Sequence, residues 1–159
     1  MTSTTGSSGG ESGELLLTAD AEAAILRHAR EGDGDGDDPP REVCGVLAGR
    51  RRSVDRESDA PDSVVRVERV PNVAADPRSE YELDPAATVE TIDALEAEGS
   101  DVVGFYHSHP ESDPVPSRTD EARASWTDRV YLLCHPDGRL NAYRWTGEAF
   151  EELRVVRRG

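Results

Sequence analysis

The stretch Gly104–Asp120, which reads GFYHSHPESDPVPSRTD, constrains the fold of this chain more than any other segment. The apolar residues at its start and just before it predict a β-strand, and the three prolines within it prevent that strand from continuing. The sequence Ser117-Arg-Thr-Asp120 then has the form of a capping box, which predicts a helix over 121–127. We therefore expect a strand, an irregular loop and a helix start in direct succession.

Three side chains of this stretch, His107, His109 and Asp120, are potential metal ligands. Two histidines separated by one residue point to the same side of an extended chain, so both imidazoles can reach one ion. The helix start would bring Asp120 back towards them. A catalytic zinc ion typically has three protein ligands and one water, and two nitrogens with one oxygen suit zinc better than iron or manganese. Taken singly, however, an H-x-H pair is more often a packing feature, and an S-x-x-D sequence is usually only a helix cap.

A hydrolytic metal site also needs a carboxylate that accepts a proton from the attacking water and passes it to the leaving amine. Glu111 and Asp113 lie in the proline-rich loop, where their geometry is loosely defined, so Glu42, at the head of an apolar run, is the better candidate. Ser117 is a candidate hydrogen-bond donor to the developing oxyanion. Considered alone, Glu42 also fits the pattern of an ordinary exposed acid. Cys44, two residues later, fits that of a small buried apolar residue.

The formal net charge of -15 and the sequence pI of about 4.6 make nucleic acid and anionic membranes poor partners, because an acidic surface repels both. All 18 basic residues are arginine. Such a composition is typical of a salt-rich cytoplasm, where molar salt screens self-repulsion within about 3 Å, although a high-GC codon bias would also explain the preference for arginine. No apolar run approaches the length of a membrane span or a signal segment, so we expect a cytoplasmic protein.

The 159 residues fit one domain, placed at 14–159 after a Ser/Thr/Gly-rich tail, 1–13, that should be disordered. Strands interleave with helices, so the predicted fold class is α+β, or α/β, with a mixed sheet. The alternating Asp and Gly of 32–38 lack the Glu that completes a calcium loop and are expected to form a solvated loop. Strands are predicted at 14–18, 40–49, 64–70, 81–83, 101–106, 130–134, 140–145 and 150–156, helices at 19–31, 85–98 and 121–127, and a charged turn at 50–63.

The first two predicted helices have clear start and stop signals. Thr18 should cap the first, Asp84 and Pro85 should begin the second, and Gly99 should end it. Two cysteines are too few for a disulfide framework in a chain of this size. The helical residues expected to face the core are Ala23, Ile25, Leu26 and Ala29 in the first helix, and Ala87, Val89, Ile92 and Leu95 in the second.

Together these features resemble the JAMM (MPN+) zinc metalloprotease family. Its signature is a glutamate, then at a distance H-S/T-H, seven residues that begin with proline, and S-x-x-D. The signature is complete here as Glu42, His107-Ser-His109 and Ser117-Arg-Thr-Asp120. The segment 40–49 also matches the pattern P-x-E-x-C-G-x-L-x-G, and the resemblance extends over about 15–156.

The resemblance implies that His107, His109 and Asp120 ligate one zinc ion per chain, with water as the fourth ligand. It also implies that Glu42 is the general base and proton shuttle and that Ser117 stabilises the oxyanion. The fold of the family is a mixed, strongly curved β-sheet with a helix on each side, which agrees with the element order predicted above.

The activity that the resemblance implies is hydrolysis of the amide bond after the C-terminal diglycine of small ubiquitin-like modifier proteins, conjugated to target lysines. The tail of the modifier would lie extended in a groove and add as a strand beside an exposed sheet edge. Two alternatives are a peptidase that processes the C-terminus of a ubiquitin-like sulfur-carrier protein, and a non-catalytic scaffold that only binds modifiers. A zinc deaminase fits poorly, because it needs P-C-x-x-C and the chain has no C-x-x-C.

Overall fold

The computed structural model of the chain describes residues 13–52 and 60–159. Apart from Gly13, the predicted disordered tail lies outside the described residues, as does the middle of the turn predicted over 50–63. The described strands are β1 (Glu14–Thr18), β2 (Cys44–Arg50), β3 (Asp62–Val70), β4 (Asp101–Ser108), β5 (Val130–Cys134), β6 (Leu140–Trp145) and β7 (Phe150–Arg158), and the described helices are α1 (Ala19–Glu31), α2 (Pro85–Ala97) and α3 (Arg118–Arg123).

The strands form one strongly curved sheet that closes into a barrel in the order β1-β3-β2-β4-β5-β6-β7. β1 pairs in parallel with both β3 and β7, β4 pairs in parallel with β5, and the other neighbours are antiparallel. The predicted α+β fold with a mixed, curved sheet is confirmed. Every described strand has two neighbours, but β1 pairs with β3 only over Asp62–Val64. The remainder of β3 pairs on one side only, with β2, so the sheet edge expected for a substrate tail stays a prediction.

The curved sheet separates two hydrophobic cores. On one face, Ile25 and Ala29 of α1 pack against β1, β3 and the inner residues of the central strands. On the other face, Leu95 of α2 packs against a second set that includes Phe105 of β4. β4 contributes to both cores, which is why its sequence reads as a nearly continuous apolar run rather than an alternating one. The strand that carries His107 and leads into His109 is therefore packed on both faces.

The predicted helix starts are present as hydrogen bonds. The hydroxyl of Thr18 accepts from the Ala21 N–H at 3.2 Å, and the carboxylate of Asp84 accepts from the Ala87 N–H at 3.1 Å. Gly99, just beyond the end of α2, has φ +85°, the left-handed conformation that glycine adopts at low cost. No helix among the described residues is long and apolar enough to cross a membrane.

Two residues that were expected to face the core lie on the surface. Ala23 is exposed, because α1 buries a narrow stripe of residues four positions apart that ends with Ile25 and Ala29, and Ala23 lies off that stripe. Val89 is 59% exposed, because α2 turns only the side around Leu95 fully into the core. Both residues were predicted to be buried because they are apolar, and their positions on the helices expose them.

The strand predicted over 40–49 begins only at Cys44. Two further predicted elements are shorter than the sequence indicates. α3 ends at Arg123 instead of continuing to 127, because the N–H groups of Ser125 and Trp126 bond to the Tyr131 hydroxyl at 3.3 and 3.1 Å. The segment 81–83, predicted as a strand, makes only an isolated bridge between Leu83 and residue 72. In both segments, contacts with distant residues override the secondary structure that the local sequence predicts.

Close approach of β4 to β5 predicts that Gly104→Ala is strongly destabilising. A Cβ atom at Gly104 would lie 1.8 Å from the carbonyl oxygen of Val130, so the two strands would have to separate. We expect the free energy of unfolding to fall by about 3 kcal/mol or more, as measured by urea unfolding in molar KCl. Gly159→Ala, where nothing lies within 4 Å, is the control. A loss below about 0.5 kcal/mol for Gly104→Ala, the range of neutral surface substitutions, would contradict this packing.

Candidate metal centre

The site residues meet where β2 and β4 run antiparallel. Cys44 of β2 pairs with His107 of β4. The pairing continues past the start of β2, where the Ser108 N–H donates to the Val43 carbonyl and the Ser108 hydroxyl accepts from the Val43 N–H, both at 3.0 Å. Extending this register places Glu42 opposite the second histidine. This strand register is why Glu42, which is far upstream in the sequence, lies beside the histidines.

The carboxylate of Asp120 contacts both histidines. Its Oδ1 lies 3.2 Å from Nε2 of His107, and its Oδ2 lies 3.1 Å from Nε2 of His109. One ligand atom each from Glu42, His107 and His109 also lie within 4.8 Å of one another. All four side chains are buried. The structure thus brings the three predicted ligands and the predicted base into one cluster.

A capping box at the start of α3 fixes Asp120. The hydroxyl of Ser117 accepts from the Asp120 N–H at 3.0 Å, and Oδ2 of Asp120 accepts from the Ser117 N–H at 2.9 Å. The hydrogen bonds that begin helix α3 therefore also hold the candidate ligand Asp120 in place. Ser117 itself is exposed, and its hydroxyl proton is not used in either bond, so this group is available to donate to a bound molecule.

Neighbouring groups orient each histidine. Nδ1 of His109 lies 2.8 Å from the carbonyl oxygen of Asp113, which can only accept, so Nδ1 carries a proton and Nε2 is the nitrogen left to bind a metal ion. The ring of His107 stacks on the ring of Tyr81, with centroids 4.0 Å apart and planes inclined by 19°. Both imidazoles are thus held with Nε2 directed at the same carboxylate, that of Asp120.

The two carboxyl groups of the cluster have opposite electrostatic environments. The pKa of Glu42 is raised to about 8, mainly by burial; the charge of His109 acts to lower it, and the charges of Asp120 and Glu80 act to raise it. Burial also acts to raise the pKa of Asp120, but its contacts with both histidines and the Ser117 N–H outweigh this effect and hold that pKa far below its usual range. One carboxyl group therefore readily holds a proton near neutral pH, and the other is ionised.

The pKa values of the two histidines are also shifted in opposite directions. Burial lowers the pKa of His107, and this effect exceeds the opposing attraction of Asp120. Burial lowers the pKa of His109 as well, but the bonds to Asp120 and to the Asp113 carbonyl raise it more, so it lies above its usual value. A neutral His107 is the form that can ligate a metal ion.

The donor set fits a metal ion. Nε2 of His107 and Oε1 of Glu42 are buried and have no hydrogen-bond partner, although the first lies close to Asp120. Buried polar atoms are normally satisfied, and a metal ion held between these side chains would satisfy both atoms. His107, His109 and Asp120 offer two imidazole nitrogens and a carboxylate, the donor types of a catalytic zinc site, and Glu42 could reach a water on that ion.

Two acidic residues that the sequence left without a defined geometry are fixed at the rim of the site. Nε and Nη2 of Arg78 donate to the two carboxylate oxygens of Glu111, at 2.7 and 2.9 Å. Asp113 pairs through its side chain with Arg139 at 2.8 Å, while its carbonyl oxygen orients His109. Since both carboxylates are exposed and paired with arginine, neither is placed as Glu42 is.

Sequence reasoning missed the contributions of Tyr81 and Asn72. Tyr81 lies in the segment 81–83, predicted only as a strand, and the sequence assigns no contact to Asn72. The side chain of Asn72 bonds to the Glu42 carbonyl at 2.9 Å and to backbone groups on both sides of Tyr81. A Pro-Asn pair after a strand signals a turn, but no local pattern indicates which distant backbone groups an asparagine will bond to.

The two cysteines are part of the hydrophobic packing beneath the site. Cys44 and Cys134 are both fully buried. Burial raises the pKa of each thiol to about 12. The thiol of Cys134 lies 3.6 Å from the His107 carbonyl, and that of Cys44 lies 3.4 Å from the Val70 carbonyl. Both residues are therefore neutral thiols, and Cys44 has the core role expected of it.

Comparisons with known proteins agree with this geometry. The family described as prokaryotic homologs of the JAB domain matches residues 18–146. A desampylase from Haloferax volcanii is 58% identical over 145 residues, which cover 91% of this chain and 97% of that protein. A probable TtuB-protein conjugate cleaving protease from Thermus thermophilus is 33% identical, covering 77% and 74% of the two chains. A CysO-cysteine peptidase from Mycobacterium bovis is 34% identical, covering 75% and 71%.

Solved structures show the same fold. A protein from Desulfitobacterium hafniense superposes with a TM-score of 0.73 at 23% identity, over 91% of this chain and 92% of that one. A JAB1/MPN domain protein from Archaeoglobus fulgidus superposes with a TM-score of 0.52 at 18% identity, over 90% and 98%. The relatives with named activities cleave proteins or peptides, which supports a hydrolase. With the family match extending over most of its length, the chain belongs to the prokaryotic JAB-domain family.

Proposed function

We propose that this chain is a zinc-dependent isopeptidase that hydrolyses the amide bond after the C-terminal diglycine of a ubiquitin-like modifier conjugated to a target lysine. The observation that carries the proposal is the pair of buried carboxyl groups with opposite pKa shifts beside two histidines. Two carboxyl groups whose environments separate their pKa values divide the roles of proton carrier and permanent anion between them. This is the division that metal-assisted amide hydrolysis requires.

His107, His109 and Asp120 are the proposed zinc ligands. Asp120 is the ionised carboxyl group, and its contacts with both histidines support this ligand set. When bound, zinc supplies a water of lowered pKa and polarises the scissile carbonyl group. The chain contributes the orientation of the donors, through the Asp113 carbonyl behind His109 and the ring of Tyr81 against His107.

Glu42 is the proposed proton carrier. Its raised pKa, about 8, means that it accepts and releases a proton near neutral pH at little cost. It would take the proton of the attacking water and deliver it to the amine of the leaving lysine. A buried position beside His109 keeps this proton from exchanging freely with solvent.

Ser117 is the proposed donor to the oxyanion that develops on the scissile carbonyl oxygen. Its Oγ accepts from the Asp120 N–H, and that bond orients the hydroxyl at the edge of the ligand cluster. The O–H bond is left to point at the substrate. A single donor of this kind contributes about 10²–10³ in rate in hydrolases that use one.

The named relatives support the substrate class. The Haloferax volcanii relative is a desampylase, and the Thermus thermophilus relative is named as a protease of TtuB-protein conjugates. A modifier tail would lie beside the segment that carries Glu42, next to the end of β3, where β3 pairs only with β2. Two glycines at the end of that tail would let its backbone approach Glu42 closely.

A second candidate is a peptidase that trims the C-terminus of a ubiquitin-like sulfur-carrier protein. The relative named CysO-cysteine peptidase, 34% identical over 119 residues, favours it. The same ligand set and proton carrier would serve, because both reactions hydrolyse an amide bond. The two candidates differ only in the leaving group, a lysine side chain in one and an α-amine in the other.

Glu42→Gln should abolish cleavage without loss of zinc. The substitution keeps the volume of the side chain but removes the proton carrier, so kcat should fall by about 10²–10⁴-fold. Zinc per chain, measured by atomic emission after dialysis, should stay at the value of the parent. Cleavage of a modifier–lysine conjugate would be followed by gel shift in molar KCl. Activity within tenfold of the parent would refute the role of Glu42.

Two further variants calibrate that experiment. His109→Ala should lose both zinc and activity, since it removes a proposed ligand. Glu111→Gln, an exposed acid paired with Arg78 at the rim, should leave both within about twofold. Full zinc content in His109→Ala would reject the ligand set. Loss of zinc in Glu42→Gln would assign Glu42 to the metal instead.

The raised pKa of Glu42 predicts a pH-dependent stability of the chelated protein. Since its pKa in the folded chain, about 8, lies above the ordinary 4.5, the folded state binds the proton more tightly. The resulting stabilisation is complete below about pH 4.5 and is lost as the pH rises through 8. Between pH 6 and 9 the parent should lose about 3 kcal/mol more than Glu42→Gln, by linkage. Urea unfolding with chelator measures this difference, and parallel pH profiles would contradict it.

A panel of substrates separates the two candidate reactions. We expect the zinc-loaded protein to cleave a lysine-linked conjugate of a diglycine-ended modifier at least tenfold faster than the same modifier extended by one C-terminal residue, a difference of about 1.4 kcal/mol in activation free energy. Addition of chelator should stop both reactions. The reverse preference, measured by mass spectrometry of the products, would favour the trimming peptidase.

A further inference from the structure

The side chain of Asn72 connects three backbone segments around the candidate site. Its Nδ2 group donates to the carbonyl oxygens of Glu42 and Glu80 at 2.9 and 3.0 Å. Its Oδ1 accepts from the N–H groups of Ala74 and Glu82 at 3.0 and 2.9 Å. One half-buried side chain therefore makes four hydrogen bonds to main-chain groups.

These partners fix the orientation of the amide. Two carbonyl oxygens face Nδ2 and two N–H groups face Oδ1, so the reverse orientation would place donors against donors and acceptors against acceptors. Aspartate has the same shape but no donor. Alanine has neither donor nor acceptor. The position therefore depends on both halves of the asparagine side chain.

The first consequence concerns Glu42. This residue precedes β2, which begins at Cys44, so its backbone lies outside the described β2 ladders. Its carbonyl oxygen is bound by Asn72, and its N–H donates to the Pro77 carbonyl at 2.6 Å. Both polar backbone groups of Glu42 are thus held by the loop that follows β3. This loop is what holds the buried carboxyl group in place.

The second consequence concerns Tyr81. The carbonyl of Glu80 and the N–H of Glu82, on either side of Tyr81, both bond to Asn72. The ring between them stacks on His107 with centroids 4.0 Å apart. The same asparagine therefore fixes the backbone of the proposed proton carrier and the aromatic ring that supports a proposed zinc ligand.

We propose that Asn72 is a positioning residue of this site, which sets the distance between the Glu42 carboxyl group and the imidazoles of the metal centre. The proposal rests on the proposed function, since positioning matters only if Glu42 carries a proton. Without the donors of Asn72, the carbonyls of Glu42 and Glu80 lose their partner, and both segments must shift to find another. Displacement of a reacting group by about 1 Å can cost about 10² in rate.

Two variants of the zinc-loaded protein test this role. Asn72→Asp keeps the shape and the acceptor but removes both donors, and Asn72→Ala removes all four bonds. Each should lower kcat by about 10–100-fold and change KM by less than about threefold. Zinc content and the visible spectrum of the cobalt-substituted protein should be unchanged, since no ligand is removed.

Hydrogen exchange supplies a readout that does not depend on activity. In Asn72→Ala, the amides of Ala74 and Glu82 lose their acceptor and should exchange at least tenfold faster, while those of β4 and β5 keep their protection. In the parent, the Nδ2 protons of Asn72 should exchange slowly in NMR spectra. This last measurement needs no variant and so stands even if both variants fail to fold. Rapid exchange of these protons in the parent would overturn the proposal.

Thr146→Ala is the matched control. Thr146 also connects a turn through three bonds, from its hydroxyl to the Ala149 carbonyl and from the N–H groups of Glu148 and Ala149. It follows β6, whose antiparallel pairing with β5 places this turn at the barrel end opposite the histidines. Loss of those bonds should leave kcat within twofold.

The outcomes separate this inference from the proposed function. If the parent cleaves conjugates and both Asn72 variants have kcat within twofold of it, the positioning role is wrong and the function stands. A loss of zinc in the variants would also reject it, in favour of a role in metal binding. If the parent cleaves nothing, the proposed function and the positioning role both fail, while the exchange data still decide whether Asn72 holds the two segments.

Discussion

The antiparallel pairing of β2 with β4 is the interaction on which the site depends. It aligns Cys44 with His107 and continues through two hydrogen bonds between Ser108 and Val43. Without this register, Glu42 would be one of many acids in an acidic chain. A shift by one residue would turn it to the other face of the sheet. The candidate chemistry is therefore a consequence of strand register, and the cores on both faces of β4 hold that register.

The helix cap serves the same purpose at the other side of the cluster. A capping box is a local structure that forms wherever a helix starts at a suitable sequence. Here its carboxylate also contacts both histidines. The bonds that begin α3 thereby hold Asp120 ionised, since the Ser117 N–H and the imidazoles all favour the charged form. A helix as short as α3 gains little stability from its own backbone hydrogen bonds, so these contacts are what stabilise it.

Local features of the sequence predicted well, and long-range ones did not. The proximity of His107, His109 and Asp120 could be predicted because their spacing within one stretch limits their geometry, and the cap at Thr18 because a cap acts within one turn. The exposure of Ala23, the early end of α3 and the closure of the barrel depend on contacts with distant segments. Asn72 belongs to this second class, because its four partners come together only in the folded chain.

The three buried carboxyl groups of the described residues show why Glu42 stands apart. Asp62 lies 2.7 Å from the guanidinium group of Arg144, which is also buried. Asp120 has two imidazoles and a backbone N–H. Glu42 has no cation at bonding distance among the described ion pairs, and its Oε1 has no partner. An unpaired carboxyl group in a protein interior is costly. Asp62 and Asp120 are paired with cationic or hydrogen-bonding groups, whereas Glu42 is not. An unpaired carboxyl group at that position is consistent with a proton carrier.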